Sequence, residues 1–141
     1  MVIEVITPEK IVYKDDIDEL VVPTVNGQIT ILPNHVGLLT KVTPGELIIK
    51  KSTSQELLAI TGGFLEVAKN HICILADYAI RAKDVEVAKA QEAQKRAENL
   101  IKEKANEKDF KIAQTELVKA ILQLKVAEKY RRRSPKIPAN N

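Results

Sequence analysis

Short apolar runs separated by turn-forming residues fill residues 1–83. The run Val2–Ile6 ends before Pro8 and the run 17–22 ends before Pro23, and proline lacks the N–H that a strand ladder uses. So many short runs predict an antiparallel β-sandwich or barrel. The predicted strands are 2–6, 11–13, 17–22, several short segments within 25–47, and then 46–50, 56–61, 64–68 and 72–76.

Residues with special backbone preferences separate these runs. Gly27 can take a positive φ, and Asn34 tolerates the left-handed region. Pro44-Gly45 suits the two central positions of a type II turn. Gly62-Gly63 predicts a tight hairpin between the strands on either side of it.

From Asp84 to Tyr130 the chain has neither Gly nor Pro, and good helix formers dominate. Apolar side chains at spacings of three and four predict two helices, 84–107 and 109–130, with Asp84 capping the first. Because alanine buries little area, we expect weak packing and an element able to change partners. The apolar stripes are Ala90, Ala93, Ala97 and Leu100, then Phe110, Ala113, Leu117, Ala120, Leu124 and Ala127, widened by Val118, Ile121 and Leu122.

Charge divides the chain into two unlike parts, although the net charge is only +3. Residues 1–83 carry ten acidic and eight basic side chains, whereas 84–141 carry nine acidic and fourteen basic ones. The basic part could prefer an acidic partner or a phosphate. Aromatic residues make up only 4% of the chain and Trp is absent, so a nucleic-acid binder that stacks bases is disfavoured.

Cysteine content and hydropathy bear on where the protein works. The single cysteine, Cys73, allows no intramolecular disulfide, which favours an intracellular protein with a buried thiol. No apolar stretch has the length that spans a bilayer, and the N-terminus lacks a signal-peptide pattern. If the protein works at a membrane, we expect a partner to hold it there.

The order Gly27, Pro33, His35, Leu38 or Leu39, Pro44-Gly45 resembles the N-terminal domain of the epsilon subunit of F-type ATP synthases, called delta in mitochondria. The second proline that the family usually shows after the histidine is Gly37 here. The resemblance covers residues 2 to about 130. It implies a two-sheet β-sandwich over 1–83 and an antiparallel helical hairpin over 84–130, followed by a basic tail, 131–141, that we expect to be disordered.

The same resemblance implies a non-catalytic central-stalk subunit that couples ion-driven rotation to ATP synthesis. The sandwich would bind the gamma subunit and sit on the rotor ring of c subunits, with Gln28 and His35 as ring-facing candidates. Some relatives have an acidic residue where Gln28 stands. The site of action would be the cytoplasmic face of the bacterial membrane, and the coupling ion could be a proton or sodium.

A nucleotide-sensing role is an alternative, in which ATP holds the hairpin compact. Many bacterial epsilon subunits bind ATP through a six-residue motif at the start of the first helix. Its order is Ile or Leu, Asp, two variable residues, Arg and Ala, and it falls here on residues 85–90. The acid is Glu86, the arginine is Lys89 and the alanine is Ala90; Arg96, two turns on, could approach a phosphate. The same residues are also explained without a ligand, as an ordinary helix start whose charged side chains are solvated. No other cofactor is implied.

Five basic residues at the end of the second helix form a candidate regulatory interface. In the family, the extended helix enters the catalytic head of alpha and beta subunits and blocks hydrolysis, which implies docking on acidic loops. A solvated helix C-terminus explains the same charges. The residues are Lys125, Lys129, Arg131, Arg132 and Arg133.

An enzyme in its own right is disfavoured because no catalytic or metal constellation is evident. His35 and His71 have no Cys at metal-ligand spacing and no evident Ser or Asp partner. The acidic residues Asp15, Asp16, Asp18 and Glu19 are typical of a solvated strand edge rather than a metal site. A generic scaffold protein with a helical arm would explain the strand pattern and the helical spacing, but it leaves the motif in 27–45 unexplained.

Overall fold

The computed structural model describes residues 1–103 and 106–133. Over these residues, ten strands form a near-barrel β-sandwich, and two helices follow it. The strands are β1 Val2–Ile6, β2 Ile11–Asp16, β3 Glu19–Thr24, β4 Gly27–Ile31, β5 Leu38–Val42, β6 Gly45–Lys51, β7 Ser54–Ile60, β8 Gly63–Ala68, β9 His71–Ala76 and β10 Ala79–Arg81. A 3₁₀ turn, Ala82–Asp84, leads to the helices α1 Val87–Lys102 and α2 Glu107–Arg133.

Hydrogen bonding orders the strands as β10-β7-β6-β3-β5-β8-β9-β1-β2, with β4 added to β3. The pairs are antiparallel, as the sequence predicted, except that β1 runs parallel to β9. One apolar core fills the sandwich, because alternate side chains of each strand point inward. Its largest fully buried members include Ile3, Leu20, Leu58, Leu65 and Ile74.

The predicted end of β3 at Pro23 is wrong. The strand continues to Thr24 and pairs with β4 from Leu20 to Thr24. On its other side β3 pairs with β6 up to Val21 and with β5 at Thr24, so Pro23 lies where the ladder changes partner and its missing N–H is not needed. Its carbonyl oxygen accepts a hydrogen bond from the Thr43 amide.

Two of the four predicted turn features are confirmed and two are wrong. Gly27 and Asn34 have φ of 102° and 66°. Gly45 does not have a positive φ; a side chain there would instead meet Pro23 Cγ at 2.9 Å. Gly62-Gly63 closes no hairpin, because β7 and β8 are not neighbours. A Cβ on Gly63 would lie 2.0 Å from the Leu75 carbonyl oxygen, so close approach explains this glycine.

The hairpin begins and ends at different residues from those predicted. Asp84 does not cap α1, because the chain makes a 3₁₀ turn through Asp84 and α1 starts after Glu86, whose side chain makes no capping bond. Helix α2 starts at Glu107 and continues to Arg133. Of the predicted basic tail, residues 134–141 lie outside the described residues.

Alanines form the seam between the two helices. Ala90 and Ala97 of α1 and Ala113, Ala120 and Ala127 of α2 are buried, as their spacing predicted. Leu100, Val118 and Ile121 remain exposed, so the apolar face is narrower than predicted. No helix in the described part of the chain is both long and apolar enough to cross a membrane.

Candidate functional site

The four predicted nucleotide-binding residues line one cleft of about 360 Å³ between α1, α2 and the 3₁₀ turn. Glu86, Lys89, Ala90 and Arg96 lie on the α1 side because the helix repeat brings them to adjacent turns. The rest of the lining is Ile80, Asp84, Ala93, Glu116, Lys119, Ala120 and Gln123. The structure therefore places the candidates together, with a facing wall from α2.

The charges that line this cleft balance. Lys89, Arg96 and Lys119 provide three cations, against three carboxylates from Asp84, Glu86 and Glu116. Lys89 Nζ lies 2.7 Å from Glu86 Oε2, and this hydrogen bond raises the pKa of Lys89. Both side chains are exposed, so the pair adds little stability. A polyanion entering the cleft would have to compete with the carboxylates.

Helix α2 docks on the sandwich through a second, smaller apolar cluster. Val126 is fully buried there against Leu57 and Ala59 of β7 and against Ala82 of the 3₁₀ turn. Leu122 packs beside it, one turn earlier. Val126 was not among the predicted apolar residues of α2, although it follows Val118 and Leu122 at the same spacing of four residues.

Polar contacts flank this apolar cluster, and one of them uses a predicted regulatory residue. Lys129 Nζ lies 2.7 Å from Glu46 Oε2 of β6, and the two side chains are only 39% and 13% exposed. Gln123 donates to the Tyr78 hydroxyl at 2.5 Å, and Lys119 Nζ lies 4.0 Å from the centre of the Tyr78 ring. Burial raises the pKa of Tyr78, a change that the Gln123 hydrogen bond opposes.

The other basic residues of α2 remain exposed. Lys125, Arg131, Arg132 and Arg133 face solvent, and Arg132 pairs with Glu128 one turn earlier at 2.6 Å. The predicted regulatory set is therefore divided: Lys129 binds the chain's own sandwich, whereas the others present positive charge at the end of the helix.

Of the two predicted ring-facing residues, one lies in β4 and the other in the loop after it. Gln28 is exposed near the start of the strand, opposite Pro23 of β3. His35 lies in the loop after it, where its Nδ1–H donates to the Val36 carbonyl oxygen at 2.7 Å. The rest of β4 and the start of the loop separate the two residues along the chain. Next to His35, Val36 is 76% exposed.

An exposed apolar strip, which was not predicted from the sequence, crosses the outer face of three neighbouring strands. Leu39 of β5, Phe64 of β8 and Leu75 of β9 are 72%, 55% and 55% exposed. Phe64 lies directly opposite Leu75 across the ladder. The detectable signal was a phenylalanine at an outward position of the alternating strand β8. Leu39 lies diagonally from Phe64, because its direct partner on β8 is Glu66 and the partner of Phe64 on β5 is Lys41. A cluster of exposed apolar side chains on a sheet indicates an interaction surface.

Neither histidine belongs to a metal-binding cluster. Among the described residues there is no group of three or more His, Cys, Asp or Glu side chains that could hold a metal ion. His71 Nε2 lies 3.2 Å from Glu4 Oε1. The acidic residues near β2 have separate partners: Asp15 with Lys51, Asp16 with the N-terminal amine, Glu19 with Lys50, and Asp18 with the Ser52 amide.

Comparisons with known proteins match the chain over both of its parts. The family model described as ATP synthase, Delta/Epsilon chain, beta-sandwich domain matches residues 1–82. The model described as ATP synthase, Delta/Epsilon chain, long alpha-helix domain matches residues 83–128. An ATP synthase epsilon chain of Dehalococcoides mccartyi is 39% identical over 137 residues, which cover 96% of each chain.

Two solved structures have the same fold. A chain of the Euglena gracilis mitochondrial ATP synthase, in an OSCP/F1/c-ring structure, aligns with a TM-score of 0.65 and 15% identity over 94% of this chain and 79% of its own. A chain of the Tetrahymena thermophila mitochondrial ATP synthase central stalk and c-ring aligns with a TM-score of 0.57 and 19% identity over 90% and 96%.

Proposed function

This chain belongs to the delta/epsilon family of ATP synthase subunits, and on that premise we propose that it is a non-catalytic subunit of the central stalk that couples ion-driven rotation to ATP synthesis. The order of its parts supports the proposal, because a packed sandwich precedes a hairpin that could move without disturbing the core. The coupling ion would be a proton or sodium. The subunit would be peripheral, held by the complex at the cytoplasmic face of a bacterial membrane.

The exposed apolar strip is the observation that carries this proposal. Leu39, Phe64 and Leu75 lie on neighbouring strands of an otherwise well-packed sandwich, and none of the residues in 1–103 and 106–133 covers them. We assign this face to the gamma subunit and the loop that contains His35 to the rotor ring. Burying such side chains against a partner would provide most of the binding free energy.

Binding to gamma tests this assignment. Serine in place of Phe64 should weaken the affinity of the full chain for purified gamma by about tenfold or more. The matched control is Val25→Ser, since Val25 is equally exposed but lies in the turn between β3 and β4. Equal loss in both variants would contradict the assigned face, and a wild-type chain that does not bind gamma would contradict the function.

We also propose that the hairpin regulates ATP hydrolysis by undocking from the sandwich. Release would break the Lys129–Glu46 pair and free Lys129 to join the exposed arginines 131–133 at the end of α2. That basic end would then meet acidic segments of the alpha and beta subunits in the catalytic head. Hydrolysis by the reconstituted complex should be less inhibited after Arg131, Arg132 and Arg133 are all changed to alanine.

A second candidate function is ATP sensing, and the shared cleft favours it. Glu86, Lys89 and Arg96 face the same space, so a nucleotide there would contact both helices and hold the hairpin compact. Calorimetry with the purified chain tests this alternative. Saturable ATP binding that is lost in Lys89→Ala, and retained in the control Lys95→Ala on the outer surface of α1, would support it. No binding by the wild type would exclude it.

A further inference from the structure

A reciprocal pair of asparagines joins two turns at the same end of the sandwich. Asn34 lies in loop 32–37 between β4 and β5, and Asn70 lies in the turn between β8 and β9. The Asn34 amide donates to Asn70 Oδ1 at 2.5 Å, and Asn70 Nδ2 donates to Asn34 Oδ1 at 3.0 Å. The two residues are 36 positions apart, so the pair is a tertiary contact.

The backbone around each asparagine favours this contact. Asn34 and Asn70 have φ of 66° and 59°, in the left-handed region that asparagine tolerates better than most residues. Lys69, the first residue of the β8–β9 turn, has φ of 50°. The Asn70 carbonyl oxygen accepts from the Val2 amide at 3.0 Å, which ties the turn to β1.

Loop 32–37 depends on this pair for its attachment. Its other described hydrogen bonds are local, from the His35 amide to the Leu32 carbonyl and from His35 Nδ1 to the Val36 carbonyl. The loop also exposes the side chains of Leu32 and Val36 to solvent. Because burying these side chains would be favourable, other contacts must hold the loop in its exposed conformation. The asparagine pair connects this exposed loop to the rigid β1–β9 ladder.

We infer that Asn34 and Asn70 are positioning residues, which hold His35 and Val36 in the conformation that contacts the rotor ring. This inference rests on the proposed function. A preorganised loop loses less conformational entropy when it binds, so the pair should increase affinity without touching the ring.

Glycine variants separate the contribution of the asparagine hydrogen bonds from the contribution of the left-handed backbone conformation. Asn70→Gly keeps the positive φ accessible and removes both hydrogen bonds. Asn34→Gly also keeps the positive φ accessible but removes only the bond from Asn70 Nδ2, because the Asn34 donor is its backbone amide. Lys69→Gly is the matched control, because it makes the same change one residue away without touching the pair. Amide exchange at residue 34 should become about tenfold faster in Asn70→Gly and stay unchanged in Lys69→Gly. Unchanged exchange in Asn70→Gly would overturn the inference.

Ring binding by the full-length chain, in complex with gamma, tests the consequence. With purified c-ring in nanodiscs as the probe, Asn70→Gly should bind about tenfold more weakly and Asn34→Gly should lose less affinity, since it keeps one of the two bonds. Lys69→Gly should bind like the wild type. Asn70→Asp keeps an acceptor for the Asn34 amide and should recover part of the loss. Wild-type binding that neither glycine variant weakens would overturn the positioning role alone. A wild-type complex that fails to bind the ring would overturn the proposed function, and this inference with it.

Discussion

The sandwich and the helical hairpin bury very different side chains. Leucine, isoleucine and valine fill the sandwich, and its twelve largest fully buried side chains include Ile3, Leu58 and Ile74. In the described parts of the two helices, the buried side chains are alanines except for Val126. Because burial scales with apolar area, the hairpin gains much less from docking than the sandwich gains from folding. One chain thus combines a stable platform with an arm that is held by few contacts.

A core truncation in the sandwich should produce the largest effect. Ile74→Ala should lower the free energy of unfolding by about 2–5 kcal/mol, since it leaves a cavity in the centre of β9. Urea unfolding followed by circular dichroism measures this loss. The neighbouring substitution Leu75→Ala removes an exposed side chain and should change stability by less than about 0.5 kcal/mol. Similar losses in both variants would contradict the assignment of the core.

Truncation of Val126 should release the arm and spare the platform. Val126→Ala removes the buried anchor of α2 and should weaken docking by about 2 kcal/mol, which speeds amide exchange across the helix by about thirtyfold. Exchange in β1 and β9 should not change. The matched control is Val118→Ala, the same substitution at an exposed position of the same helix. If α2 responds equally to both, Val126 is not its anchor.

Neutralising Glu46 should have a smaller effect on the same contact. Glu46→Gln leaves Lys129 without its partner and should weaken docking by about 1 kcal/mol, because the pair is only partly shielded from water. Exchange in α2 again reports the change, and added salt should reduce the difference between variant and wild type. Glu128→Gln, which breaks the exposed pair with Arg132, is the control and should have almost no effect.

Alkaline pH should loosen the arm by a still smaller amount. Burial raises the pKa of Tyr78 above its unfolded value of 10.0, so the neutral phenol favours the docked state. This contribution is complete below the unfolded pKa and is lost as the pH rises through the folded pKa. Docking of α2 should therefore weaken in that alkaline range. Tyr78→Phe should remove this part of the pH dependence, and an unchanged profile would contradict the role of Tyr78.

The sequence predicted the fold class more reliably than the details that set the contacts. Strand alternation and the alanine spacing depend on local periodicity, so the sandwich and the helical seam could be read from the chain. The roles of Gly45 and Gly63 depend on which strands become neighbours, and so does the partner change at Pro23. Those pairings are tertiary, and no local pattern reveals them.

For the candidate site too, features set by local spacing could be predicted from the sequence, and features set by tertiary packing could not. Helical spacing was enough to place Glu86, Lys89 and Arg96 on one cleft, whereas the carboxylate of Glu116 on the facing helix depends on how the two helices pack. Lys129 was predicted as a contact for another subunit, and its pair with Glu46 joins residues 83 positions apart. Strand alternation alone could mark Phe64 as an outward side chain, but its pairing with Leu75 depends on which strands become neighbours.

The most direct test of the contrast between platform and arm is amide exchange of the full-length wild-type chain, measured residue by residue near neutral pH. We predict that α2 amides exchange through a low-energy opening, while β1, β8 and β9 amides exchange only through global unfolding. The hairpin and the sandwich would then differ by several kcal/mol in opening free energy, with α2 the less protected. Equal protection of α2 and these strands would show that the arm is part of the core, and would contradict the account.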